Sequence, residues 1–188
     1  MSLNANNVRV AVTGEVYYDP TGALAAPTGT GSALTQWKGL GYNGESGVDL
    51  KMPGAGSPTS IKAWQDGAVV RVIRAAPDGT PQLIVTLIET KLETIELAFG
   101  VTVSQNDTDG SFIINTNTRR QPVPLVVDSI DAEELIRVYA PKAVVVSIDT
   151  ISLNHDNAIG YALTFDLNND ATLGGQAKVW MTALKTPA

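Results

Sequence analysis

The chain contains no cysteine. Disulfides, zinc–thiolate centres and cysteine nucleophiles are therefore excluded. It holds one histidine, so a Ser-His-Asp arrangement would have to use His155. Charge is thin, at 17% of residues, and unbalanced: 19 acids against 13 bases leave −6 and a pI near 4.7. Such a surface argues against gripping a nucleic-acid backbone, which needs a basic face. No apolar run approaches the roughly 20 residues of a membrane span. The opening MSLNANNVRV has no apolar segment of the signal-peptide kind. What remains is a chain of 188 residues, 44% of them hydrophobic, enough for one domain with a substantial core.

Strand-like runs dominate. Residues 8–18 (VRVAVTGEVYY) are rich in β-branched and aromatic side chains. Residues 19–36 (DPTGALAAPTGTGSALTQ) have turn chemistry and no period, and 43–60 (NGESGVDLKMPGAGSPTS) read the same way. Both are expected as long loops, on either side of a short strand at 37–42. Between Ile61 and Arg74, Asp66-Gly67 predicts a hairpin with a tight two-residue turn. Its second arm, AVVRVIR, is apolar at nearly every position and so has no evident solvent face. Residues 82–89 form another apolar strand.

The one convincing helix spans 91–99. Thr90 is its expected N-cap, Glu93 completes a capping box, and Gly100 is the stop. Leu92, Ile95 and Phe99 are expected on its buried face. Further strands are predicted at 111–115, 124–130, 137–153, 159–167 and 177–184, with a helical turn at 131–136 and a long hairpin around NHDN, 154–157. Tyr161, Leu163, Phe165 and Leu167 alternate with polar or small residues, the mark of a half-buried strand. The fold class expected is mainly β: a sandwich or barrel-forming sheet with one packed helix and two long loops.

Chemical motifs are weak throughout. GLGYNG matches a dinucleotide-binding spacing, but ESGVDLKMPG cannot continue as the required helix. QNDTDG imitates half a calcium loop, yet Gln105 stands at its first position and Thr116 at its twelfth, so it reads as a turn. His155 sits at a polar hairpin tip. The pairs Glu93/Glu96 and Glu133/Glu134 fit solvated faces. Trp37, Trp64 and Trp180 fit core or interface anchors better than a ligand platform. No catalytic, cofactor or metal site is expected.

The order of features is more telling. NVRVAVTGEVYYDPTG is followed by WKGLGYNGESGVDL, IKAWQDGAVVRVIR, a strand ending LIET, a short helix closed by FG, YAPKAVVVSIDTISL, AIGYALTFDL and a last strand holding Trp180. In this order the chain resembles the major tail tube proteins of long-tailed bacteriophages, relatives in fold of the type VI secretion tube protein. The resemblance covers 7–184. It implies a single tube domain over 1–188 without an added C-terminal decoration domain. It implies rings of six whose sheets join into a barrel, stacked as a hollow tube. Within the virion tail the partners would be further copies, the tape measure protein and tail-tip or terminator proteins, with assembly in the host bacterial cytoplasm. DNA would pass through without specific binding, and no membrane is involved.

On this reading Ile61, Trp64, Val70, Val72, Val85 and Leu87 are the expected ring or barrel interface, and Asp149 and Asp166 the expected lumen acids. The two loops are expected to be mobile before assembly and to contact the next ring. Deleting 43–60 is then expected to leave a folded subunit that cannot stack. The runner-up is the inner tube of a contractile tail or injection particle. A carbohydrate-binding sandwich using exposed tryptophans is a more distant alternative, and a hydrolase more distant still.

Overall fold

The β-branched and alternating runs pair into one large curled sheet. The computed structural model describes residues 8–77, 79–117 and 119–185. In chain order its strands are β1 (Thr13–Tyr18), β2 (Lys38–Gly39), β3 (Asn43–Lys51), β4 (Thr59–Lys62), β5 (Val69–Ile73), β6 (Gln82–Leu87), β7 (Ser104–Gln105), β8 (Gly110–Ser111), β9 (Val123–Asp131), β10 (Glu134–Ile148), β11 (Tyr161–Leu167) and β12 (Lys178–Met181). The helix α1 (Leu92–Phe99) follows β6.

The main sheet runs β2-β1-β9-β10-β11-β6-β3. Its spine is β10, which has β9 along one edge. The other edge is shared: β12 pairs with Ile136–Tyr139 and β11 with the stretch from Ala143 to Ile148. β4–β5 and β7–β8 form separate two-stranded ladders.

The two ends of the main sheet are neighbours in the chain. β2 ends at Gly39 and β3 begins at Asn43. That link can span no more than about 14 Å. The sheet must therefore curl until its ends approach. No ladder joins β1 or β2 to β3 among the described residues, so the barrel stays open along a seam.

The inward face of the curl is the core. Val16, Val127 and Val138 share one cross-strand row, and Tyr18, Leu125 and Ala140 the next. On the other half Leu83, Val85 and Leu87 oppose Phe165, Leu163 and Tyr161. The alternation expected along β11 is realised, with all four of its large side chains buried. Burying each such side chain is worth about 1.5–3 kcal/mol.

The helix packs onto the core through Leu97 and Ala98. Gly100 stops it as expected, with φ 65° and its N–H donating to the Glu96 carbonyl. Its start and its inner face differ from expectation. Lys91 is the N-cap, without a side-chain cap, because the Thr90 hydroxyl is engaged with Tyr161 Oη at 3.0 Å. Thr94, Leu97 and Ala98 are the buried residues, while Ile95 and Phe99 pack at the margin. Thr94 is tolerated inside because its hydroxyl donates to the Leu40 carbonyl.

Several sequence expectations are corrected. Residues 43–60 are not one loop: the first nine residues are β3, paired with β6. Pairing with an apolar neighbour overrides their turn-rich composition, and residues 44–47 survive only as a bulge between Asn43 and Val48. Deleting 43–60 would remove an edge strand of the core sheet, so that deletion no longer isolates stacking from folding. The expected helical turn at 131–136 is the turn of the β9–β10 hairpin, where Ala132 takes φ 53°. β10 ends at Ile148 rather than 153, and only Ser111 of 111–115 lies in a strand. Asp66-Gly67 does turn the β4–β5 hairpin, but in a four-residue loop closed by Ala63 and Ala68. Gly67, at φ 70°, donates its N–H to the Ala63 carbonyl, an α-turn rather than the two-residue turn.

The loop 19–36 lacks regular structure, as expected, but it is fastened down. It lies over the outer face of β1, β9 and β10, where Leu24 and Leu34 pack on a cluster of Trp37, Val126 and Tyr139. Beside them Arg137, 4% exposed, forks onto Asp128 with two 2.7 Å bonds. The same guanidinium donates to the carbonyls of Gly29 (3.0 Å) and Ser32 (2.8 Å). At the loop's start Asp19 is buried and accepts from Thr21 N, Thr21 Oγ1 and Leu24 N. Burial alone would raise its pKa, but these hydrogen bonds outweigh that effect and hold it below the usual carboxylate value.

Two outcomes are expected. Arg137→Ala strands Asp128 without its partner and should cost about 3–5 kcal/mol in urea unfolding. Asp19, with its folded pKa depressed, supports the fold fully above the unfolded value near 3.9 and loses that support as pH falls through the lower folded value. Asp19→Ala should therefore lower stability at pH 7 by about 1.5–3 kcal/mol and flatten the decline below pH 4, read from urea midpoints against pH.

Candidate assembly surfaces

An arm leaves the body between β3 and β6. The chain departs at Lys51, forms the β4–β5 hairpin, and returns at Gln82. Its two strands of linker run side by side, since Gly56 has room for no Cβ against Ala75 and Ala76. Every residue of β4 and β5 is exposed. Ile61, Arg71 and Ile73 lie on one face of the hairpin and Val72 on the other, so both faces carry apolar surface. Trp64 stands at the tip, 96% exposed. The hairpin without an evident solvent face is thus exposed along both of its strands.

The second surface is the outward face of the half-sheet β10-β11-β6-β3. Register puts Val144, Asp166, Gln82 and Lys51 in one row and Ser147, Thr164, Ile84 and Asp49 in the next. This face is largely polar and only half-buried. Gln82 Nε2 donates to Asp166 Oδ1 at 2.8 Å. Asp149 is exposed just past the end of β10, its N–H donating to the Ala162 carbonyl. Asp49 belongs with these acids but was missed in the sequence, because its segment read as loop.

The third surface is the seam. Between β1 and β3 lies an open cavity of about 880 Å³. Val48, Leu50, Val127, Val138, Val179 and Met181 give it apolar walls. Its charged lining is acidic: Glu15, Glu45 and Glu89, with Asp128 already held by Arg137. Glu15 Oε2 accepts from Tyr17 Oη at 2.7 Å. Burial first, and then this bond, push the Tyr17 phenol up to about 12.

The expected interface residues divide. Ile61, Trp64, Val70 and Val72 are exposed on the arm. Val85 and Leu87 are not available: they alternate inward along β6 and are buried in the subunit's own core. The tryptophans divide likewise. Trp37 is buried edge-on against Tyr139, and Trp180 packs on the same cluster with Lys178 over its ring. Trp64 is the one exposed tryptophan of the three, so the tryptophans share no platform of the carbohydrate-binding kind. His155 lies in an exposed turn. QNDTDG is a turn in which Asn106 accepts from Thr108 and Asp109. No helix follows GLGYNG, and no metal-holding cluster occurs among the described residues.

This division is measurable. Leu87→Ala should cost about 2–5 kcal/mol of subunit stability. Val72→Ala, on the arm, should stay within about 0.5 kcal/mol in the same urea titration. Among known proteins, a family model described as phage tail tube protein matches residues 1–188. No curated protein matches the chain.

Proposed function

The chain belongs to the phage tail tube protein family, and from that premise we propose that six copies close into a ring and that rings stack into the hollow tube of a long, non-contractile tail. The protein is structural and not an enzyme; it self-assembles in the virion tail. The observation that carries the finer reading is the half-sheet β10-β11-β6-β3. Among the described residues it ends on the free edge of β3 and keeps a largely polar, only half-buried outward face.

Joined edge to edge in a ring, six such half-sheets form a continuous barrel whose polar face lines the channel. Free strand edges favour this kind of pairing, and a head-to-tail contact that closes gives a ring. Asp166, with Asp149 and the newly found Asp49, then sits on or beside the channel wall. Their charge repels phosphate, so DNA passes without sticking. The tape measure protein fills the channel beforehand, and tail-tip and terminator proteins bound the tube. Residues 1–188 act as one tube domain, and assembly takes place in the host bacterial cytoplasm.

Negative-stain electron microscopy of the purified protein, dilute and then concentrated, tests this. Hollow rings or tubes with six-fold end views are the expected result. Solid filaments, or end views of another symmetry, would overturn it.

A further inference from the structure

The arm and the seam complement each other, and neither is satisfied within one subunit. The arm offers apolar side chains on both faces and a bare indole at its tip. The seam offers an apolar cavity, open because the sheet does not close. Large apolar patches left bare on a soluble chain mark contact sites, and buried aromatic anchors dominate the energy of such contacts.

Charge points the same way. From 59 to 74 the arm carries Lys62, Arg71 and Arg74 against Asp66 alone, a basic stretch in a chain of net −6. The seam lining carries Glu15, Glu45 and Glu89 and no lysine or arginine. Opposite potentials steer the two together and set their register. The indole would enter among Val179, Met181 and Leu50 while the arm's cations meet the glutamates of the lining.

Resting on the tube reading for the identity of the partner, we propose that the β1–β3 seam is a socket for the Trp64 tip of a second copy's arm. The contact is head-to-tail: each subunit gives one arm and receives another. Such a contact propagates, which suits a polymer. Glu45, within the 44–47 bulge of β3, is part of the cavity lining.

Because the chain has no cysteine, single introduced thiols report this contact directly. Gln65→Cys chains, which carry an exposed thiol beside the retained Trp64 indole, are mixed with mass-tagged Met181→Cys chains under assembly conditions, oxidised, and run on a non-reducing gel. A cross-linked heterodimer of intermediate mass is expected, at least ten-fold above a control mixture with Ile113→Cys. Val179→Cys serves as a second socket variant, and circular dichroism checks that each chain is folded. Absence of the heterodimer with both socket variants overturns the proposal. So does internal cross-linking of a Gln65→Cys/Met181→Cys chain at high dilution, which would make the socket its own arm's. Tubes without the heterodimer leave the tube reading standing and remove the socket. A heterodimer in assemblies that are not tubes does the reverse.

Discussion

Three residues, Leu40, Gly41 and Tyr42, hold the two ends of the main sheet together, and the rest of the architecture depends on them. Leu40 donates its N–H to the Val16 carbonyl, which ties the link to β1. Tyr42 accepts from Ile88 N and donates to Glu89 Oε2, which ties it to the end of β6. Gly41 between them takes φ 83°, and a Cβ there would overlap the Glu89 carboxylate. A side chain at this position would be strained and obstructed at once. The short link makes the sheet curl, the curl creates the enclosed core, and its incomplete closure leaves the seam.

The subunit divides its apolar surface between two purposes. Inside the curl the alternation of β6 and β11 buries large side chains against the helix, as in an ordinary soluble domain. The arm does the opposite. A two-stranded hairpin alone is marginal in water, and this one carries valines and isoleucines outward on both faces. Lys62 and Arg71 among them oppose indiscriminate edge pairing. Self-assembly through a specific contact asks for such a compromise: enough apolar surface to drive the contact, with enough charge to reject the wrong ones.

The loop 19–36 shows how poor composition can still give order. Glycine, alanine and threonine supply little apolar area against the entropy of ordering. Its backbone is instead captured by partners far along the chain. Arg137 binds Asp128 with one side of its fork and two loop carbonyls with the other. A planar guanidinium can serve both because it has five donors in fixed directions. These bonds make 19–36 part of the subunit's outer wall.

Much of this was legible in the sequence. The mainly β class, the alternation of β11, the helix with its Gly100 stop, and the unusual hairpin at 61–74 all follow from local chemistry and period. These depend on neighbours within a few residues, which a sequence displays directly. Tertiary structure decided the remainder. That Val85 and Leu87 face the core while Val70 and Val72 face solvent depends on which runs pair into the main sheet, and the four valine- and leucine-rich positions look alike in the sequence. That 43–51 is a strand depends on β6 lying beside it. That Arg137 fastens a loop more than a hundred residues away depends on the curl itself. Local propensity chose the elements; contacts between distant parts of the chain chose which surfaces were left open.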